Sequence, residues 1–141
     1  MSDDVPADSL GEAFGAVARR LRAAAMAAFA AYDVTPSQVR AIRVLAAHDS
    51  GGVRSKELAE HLKIAPRSAT EVVDALEEKG LVTRLPDPGD RRATLVSLTH
   101  RGQEVSEEVR RARGEESERM FERLTRADRE DLARILGKLQ G

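Results

Sequence analysis

Apolar residues recur at steps of three and four near the start of the chain. The positions are Leu10, Phe14, Val17, Leu21, Ala24 or Ala25, Ala28 and Tyr32. This spacing places them on one face of an α-helix. Ser9, with Glu12 three residues later, has the pattern of a capping box, so the sequence predicts a helix from about Leu10 to Asp33.

A second helix start is marked by Thr35, Pro36 and Gln38. Thr35 suits the N-cap, Pro36 suits the first helical position, and Gln38 completes a capping box. Apolar side chains then follow at helical spacing, at Val39, Ile42, Leu45 and Ala46. The segment Asp49-Ser50-Gly51-Gly52 is expected to end this helix.

The next segment predicts two short helices joined by a tight connection. Ser55 is the expected cap of the first, with Leu58, Ala59 and Leu62 inside. Pro66 opens the second, Gly80 suits its C-terminal end, and its apolar positions are Ala69, Val72, Val73 and Leu76. Two such helices match either a helix-turn-helix or an ordinary helical hairpin.

Residues with high strand propensity follow this helix pair. Residues 81–85 and 93–98 alternate in part between apolar and polar types, and residues 86–92 between them are rich in turn formers. A β-hairpin directly after a helix-turn-helix makes a winged helix. The expected tip of this wing carries Arg91 and Arg92.

The last third of the chain predicts two more helices. Thr99 caps a long one from about His100 to Arg123, and Thr125 with Asp128 starts another, whose apolar face is Leu132, Ile135, Leu136 and Leu139. Terminal helices with stripes too large for a small core indicate a partner chain. The predicted fold is mainly α with a small β-hairpin wing: a winged helix-turn-helix with N- and C-terminal dimerisation helices, forming a homodimer.

Composition narrows the function classes. The chain has 141 residues, about one domain, with 23 Lys and Arg against 24 Asp and Glu and a net charge of −1. Nucleic-acid binding would therefore need a local basic patch rather than bulk charge. Zero cysteines exclude disulfides, thiolate zinc sites and a thiol redox switch. The acidic N-terminus and the lack of a long apolar run predict a soluble, cytoplasmic protein without a membrane partner.

The chain resembles the multiple-antibiotic-resistance regulator (MarR) family of bacterial winged-helix repressors. The most specific match is Asp90-Arg91-Arg92 followed by Leu98-Thr99 and Gly102, preceded by EEKGLV at residues 77–82. The match runs from about Thr35 to Leu139. It implies a single MarR-type domain over residues 1–141, with dimerisation helices at 9–33 and 100–140 and a winged lobe at 35–99 that binds double-stranded DNA.

The resemblance also implies roles for charged residues of the wing. Arg92, beside Arg91, corresponds to the arginine that enters the minor groove. Asp90 corresponds to the acidic residue that holds this arginine, and Arg84 to a basic position near that carboxylate. A guanidinium suits the negative potential of a narrow minor groove, which agrees with this assignment.

In the predicted recognition helix, Arg67 is the expected reader of guanine. Ser68 and Thr70 are expected at base edges or phosphates, although either hydroxyl can instead bond only its own backbone. Glu71 stands where family members often carry a basic residue, and so does Ala75. Glu71 would either repel phosphates or accept a hydrogen bond from a cytosine amino group. Ala65 takes the N-cap position, where an oxygen-bearing side chain is usual.

Family members commonly respond to small phenolic or anionic effectors in a cleft between the dimerisation helices and the winged lobe. The residues that would line this cleft here are Phe14, Leu21, Met26, Phe29, Tyr32, Arg40 and Arg43. The expected dimer contacts are Leu10, Phe14, Leu132, Ile135, Leu136 and Leu139. Many of these positions also fit a plain apolar core.

Other function classes fit the sequence less well. No glycine-rich phosphate loop, G-x-S-x-G motif or cysteine nucleophile indicates an enzyme. His48, His61 and His100 are too scattered for a local zinc motif, so no metal or cofactor is predicted, although folding can still bring them together. A winged helix that binds only proteins is the alternative. Near-neutral charge and Glu71 favour it, whereas the arginines at 67, 84, 91 and 92 oppose it.

Overall fold

The computed structural model describes residues 4–48 and 51–141. Within them the elements are α1 (Ala7–Ala30), α2 (Pro36–Ala47), β1 (Val53–Arg54), α3 (Ser55–Leu62), α4 (Pro66–Glu78), β2 (Val82–Asp87), β3 (Asp90–Leu98), α5 (His100–Phe121) and α6 (Arg126–Gln140). The strands form an antiparallel sheet in the order β1-β3-β2. The predicted fold class, mainly α with a small β wing, is confirmed.

These elements divide into two compact units. The first consists of Met1–Ala25 and Arg111–Gly141, and the second of Met26–Arg110. The second unit holds the apolar core, whose large fully buried side chains include Phe29, Ile42, Leu58, Leu76, Val96 and Val105. In the first unit, by contrast, α6 has no buried residue.

Three predicted helix caps are confirmed. Thr35 Oγ1 accepts the Gln38 N–H at 3.2 Å while the Gln38 side chain accepts the Thr35 N–H at 3.2 Å. Thr125 and Asp128 exchange the same pair of bonds, at 3.1 and 3.0 Å. Thr99 Oγ1 accepts the Gly102 N–H at 3.0 Å. Each cap satisfies amide donors that the helix leaves unpaired.

Two predicted caps are wrong. The first helix begins at Ala7 and ends at Ala30, so Ser9 lies inside its first turn, where the backbone is helical and a side-chain cap cannot form. Ser55 is the first residue of α3, and the N-cap is Arg54, whose extended backbone comes from β1 and which makes no side-chain cap bond. Of the segment predicted to end α2, Asp49 and Ser50 lie outside the described residues.

The helix-turn-helix is confirmed in α3 and α4. Residues 63–65 connect them, with Lys63 in a left-handed conformation at φ 54°. At the end of α4, Gly80 has φ 75°, a value that glycine adopts without penalty. The Gly80 N–H donates to Glu77 O and the Leu81 N–H to Leu76 O, both at 3.0 Å, which is a Schellman motif.

The wing differs from its prediction in length. Val82 to Pro86 pair with Leu98 to Thr94, and Asp87 pairs with Asp90, so the turn is only Pro88-Gly89. The predicted turn over residues 86–92 is therefore wrong, because both strands extend into it. Strand β1 was not predicted, since a two-residue strand is defined only by its pairing with Val96 and Leu95.

The start of α5 approaches the end of α4 very closely. Leu81 O accepts the Thr99 N–H at 3.0 Å, and Thr99 Oγ1 donates to Gly80 O at 2.6 Å. A Cβ atom on Gly102 would lie 2.0 Å from Leu81 O. Glycine at 102 is thus what lets α5 begin directly against the loop that enters the wing.

Candidate nucleic-acid interface

The outer face of α4 carries the predicted recognition residues. Arg67, Ser68, Thr70 and Glu71 are all exposed, whereas Ala69, Val73 and Leu76 on the inner face are buried. Thr70 Oγ1 donates to Pro66 O at 3.0 Å, so the proton of this hydroxyl is used by its own helix. Ala65 is the N-cap and offers no side-chain bond, which leaves amide N–H groups of the first turn without a side-chain partner.

Arg91 and Arg92 lie in a bulge of β3, not at the tip of the hairpin. Pro86 pairs with Thr94 and Asp87 with Asp90, so residues 91–93 have no opposite residue on β2. We call residues 91–93 the β3 bulge. A bulge bends its strand and redirects its side chains, which places both arginines away from the regular ladder.

Asp90 fixes the backbone at this point. Its Oδ1 accepts the main-chain N–H of Arg92 at 2.9 Å. The family resemblance implies that Asp90 holds Arg92, and the contact in this structure is with the main-chain N–H of Arg92 and not with its guanidinium. Within residues 4–48 and 51–141, neither Arg91 nor Arg92 forms an ion pair.

Arg84 joins the wing to α4. Its Nη2 lies 2.5 Å from Asp74 Oδ1 and its Nη1 lies 2.9 Å from Glu77 Oε1. The predicted position near Asp90 is corrected here, because Arg84 stands opposite Val96 in the ladder and pairs with carboxylates of α4. Such a pairing depends on tertiary packing, and no local spacing would have revealed it.

A second ion pair supports the turn of the wing. Arg54, at the N-cap of α3, places its Nη2 2.7 Å from Asp87 Oδ2. The other oxygen of Asp87 accepts the Gly89 N–H at 2.9 Å. Sequence reasoning missed both residues, since Arg54 belongs to the unpredicted strand β1.

These contacts set the charge pattern of the site. Asp74, Glu77 and Asp87 are each paired with an arginine. In the part of the chain that the structure describes, Arg67 has no ion pair, and neither have the two arginines of the β3 bulge. Cations are therefore left available on α4 and on the wing despite the net charge of −1.

Removing the charge of Arg84 is expected to loosen the wing. Arg84→Met keeps the apolar stem and should lower the free energy of unfolding by about 1 kcal/mol, the upper range for partly exposed pairs. The loss should shrink in 1 M NaCl, because salt screens the pairs. Urea unfolding at low and high salt measures it. Arg110→Met is the matched control, since Arg110 pairs with exposed Glu107 on its own helix and should change little. Equal effects of the two variants would show that the ion pairs of Arg84 do not hold the wing against α4.

The predicted effector residues are divided between the two units. Phe14 and Leu21 belong to the first unit, and Met26, Phe29, Tyr32, Arg40 and Arg43 to the second. Phe29 is 1% exposed and is part of the core. Arg40 donates to Leu62 O at 2.7 Å, and Arg101 lies 5.7 Å from the ring centroid of Tyr32. The effector cleft stays a prediction.

A cavity of about 380 Å³ lies elsewhere in the second unit. It is bounded by the end of α2, the end of β3 and α5, and lined by Leu45, Ala46, His48, Ser97, Leu98, Gln103, Ser106 and Glu107. None of the predicted effector residues lines it.

The histidines are only partly brought together. The rings of His48 and His61 lie 5.0 Å apart, whereas His100 contacts Glu104 at 3.1 Å. Over residues 4–48 and 51–141, no group of three or more His, Cys, Asp or Glu side chains is placed to hold a metal ion. In the same residues, no helix combines the length and apolar character needed to cross a membrane.

Fold and site together define a winged helix-turn-helix protein with a cationic wing. Residues 34–94 match the model of the MarR family. The chain is 34% identical over 106 residues to the HTH-type transcriptional repressor MdtR of Bacillus subtilis, covering 75% of this chain and 67% of that protein. The chain belongs to the MarR family of transcriptional regulators, which are DNA-binding proteins and not enzymes.

Solved structures agree with this assignment. The crystal structure of RV1404 from Mycobacterium tuberculosis superposes with a TM-score of 0.87 at 30% identity, covering 99% of this chain and 96% of that one. A point mutant of MepR from S. aureus, bound to an oligodeoxyribonucleotide, has a TM-score of 0.72 at 21% identity, covering 97% of each chain. The second likeness concerns the fold alone.

Proposed function

We propose that this chain is a repressor that binds a palindromic DNA operator as a homodimer and releases it on binding a small effector. The observation that carries the proposal is the charge pattern. Three exposed arginines, at 67, 91 and 92, have no ion pair in the described chain, while Asp74 and Glu77 of α4 are paired with Arg84, and Asp87 of the wing is paired with Arg54.

The recognition helix and the wing have separate tasks in this proposal. Arg67, in the first turn of α4, binds guanine through O6 and N7 in the major groove. Ser68 contacts a phosphate, and Thr70, whose proton is bonded to Pro66 O, offers its methyl group to a thymine. Arg92 enters the minor groove of the DNA, and Arg91 contacts the sugar-phosphate backbone of the DNA. The oligonucleotide-bound MepR structure supports DNA as the ligand of this fold.

Dimerisation belongs to the first unit. Large apolar side chains are exposed there on α1 and α6: Leu10, Phe14, Val17, Ile135 and Leu139. Leu132 and Leu136 on the same face of α6 are half-buried. A two-fold dimer would cover this surface and hold two recognition helices at the spacing of a palindrome. The single MarR-type domain then has dimerisation helices at its two ends.

The effector is proposed to be a small phenolic or anionic molecule. The support is the family resemblance, together with the mixture of apolar and cationic residues at the predicted cleft, such as Met26 and exposed Arg43. A regulator of this kind acts in the cytoplasm, where DNA is found.

The test is selection of bound fragments from random DNA, followed by titration of Arg92→Ala. This variant should fold normally and lose about 1–3 kcal/mol of operator binding per wing. The slope of log affinity against log salt should also fall by about 0.9 per charge removed. Arg126→Ala is the control, because Arg126 is exposed at the start of α6, in the first unit.

Asp90→Ala separates bulk charge from geometry. Removing a negative charge would tighten binding if only charge mattered. If Asp90 fixes the backbone of the β3 bulge through the Arg92 N–H, binding should weaken despite the gained charge, because Arg92 loses more freedom on docking. Unchanged operator affinity in Arg92→Ala would show that the wing does not bind DNA. If the selection enriches no DNA sequence, the result would favour a winged helix that binds only proteins.

A further inference from the structure

Glu71 is a carboxylate on the face of α4 that carries Arg67. The two residues are one turn apart and both are exposed, yet in the described chain no ion pair joins them. Further along α4, Asp74 and Glu77 are neutralised by Arg84. Glu71 is therefore the free carboxylate nearest to the N-terminal turn among the described residues of this helix.

A carboxylate at this position restricts what it can face on DNA. Phosphates repel it, and it can only accept hydrogen bonds. The donors in the major groove are the N4 amino group of cytosine and the N6 amino group of adenine. Adenine places the acceptor N7 beside its amino group, which repels a carboxylate. Cytosine has no acceptor at its major-groove edge, so it is the base that Glu71 fits.

We infer that Glu71 is a specificity-determining residue that accepts a hydrogen bond from a cytosine amino group in each half of the operator. The inference rests on the proposed function, in which α4 enters the major groove. Four residues along a helix rise about 6 Å, so this cytosine lies one or two base pairs from the guanine bound by Arg67.

A glutamate at this position lowers the overall affinity for DNA and increases the discrimination between bases. The negative charge weakens binding to every sequence, since each backbone phosphate nearby repels it. At the correct cytosine the hydrogen bond offsets that repulsion, and at thymine the O4 acceptor adds to it.

The experiment compares wild type, Glu71→Ala, Glu71→Gln and the control Glu78→Gln. Glu78 is also exposed on α4 and has no ion pair among the described residues, but lies about 10 Å further along the helix. Each protein selects fragments from random DNA and is then titrated against the enriched operator, single-base variants of it, and random-sequence DNA of equal length. Circular dichroism checks that each variant is folded.

Wild type should bind its operator about tenfold more tightly than the variant with the key cytosine replaced by thymine. In Glu71→Ala this preference should disappear while binding to random DNA becomes tighter. Glu71→Gln should shift the preference toward adenine, because an amide bonds both N6 and N7. Glu78→Gln should leave every base preference unchanged.

The two possible failures differ. If wild type enriches an operator and Glu71→Ala keeps the preference at every position, the inference about Glu71 is overturned and the proposed function stands. If wild type enriches no sequence, the proposed function fails and this inference with it.

Discussion

Leu139→Asp is expected to convert the proposed dimer largely into a folded monomer, and adding Ile135→Asp should abolish dimerisation. In the single chain these side chains are 72% and 44% exposed. Burying such a residue in the interface contributes about 1.5–3 kcal/mol to the free energy of dimerisation, and each residue counts twice because the dimer is two-fold symmetric. Since part of each residue is already buried in the single chain, the double variant should lose roughly 5 kcal/mol of dimerisation free energy. This loss raises the dimer dissociation constant more than about a thousandfold.

Sedimentation at about 1 µM, with circular dichroism of the same samples, measures this effect. Leu85→Asp is the matched control, because Leu85 is also 44% exposed but lies on β2 in the second unit. It should remain a dimer. Leu139 is too exposed to support the fold of its own chain, so unfolding is not expected from its replacement alone. A folded wild-type monomer at this concentration would rule out the dimer.

Gly102→Ala is expected to destabilise the protein by about 3 kcal/mol, at the upper end of the cost of inserting a methyl group into a closed space. The new Cβ would lie 2.0 Å from Leu81 O and 3.0 Å from the carbonyl carbon. These are backbone atoms, and Leu81 O also accepts the Thr99 N–H. Relief therefore requires α5 to move away from the entrance of the wing.

Gly114→Ala provides the comparison within the same helix. A Cβ there meets nothing within 4 Å, so alanine should be neutral or stabilising by up to about 1 kcal/mol through its better helix propensity. Urea unfolding measures the change in the free energy of unfolding in each variant, which should be a clear decrease for Gly102→Ala and no change or an increase for Gly114→Ala. Equal effects would mean that helix propensity, not the close approach, determines the role of Gly102.

Local signals in the sequence were sufficient for much of the fold. The capping boxes at Thr35 and Thr125 depend on residues three apart and were predicted correctly, as was the end of α4 at Gly80. Ser9 has the same pattern and failed, because the helix already begins at Ala7. A capping pattern identifies possible partners but does not determine where the backbone leaves the extended region.

The contacts that organise the candidate site join different secondary-structure elements and were not predictable from spacing. Arg84 reaches α4 and Arg54 reaches Asp87 across the sheet, 33 residues along the chain. The resemblance placed Arg84 near Asp90, whereas Arg84 pairs with Asp74 and Glu77 of α4. The location of Arg91 and Arg92 in an irregular part of β3 also depends on strand register, which the sequence pattern left open.

The β3 bulge has a consequence for how the wing can change in length. In a regular ladder, inserting one residue moves every following side chain to the opposite face of the sheet. Residues 91–93 have no opposite residue on β2, so an insertion or deletion among them is absorbed there. Val96 then keeps Val53 and Arg84 as its neighbours. We therefore expect that changing the number of residues in the β3 bulge alters the reach of the two arginines and leaves the pairing of Val96 in the core unchanged.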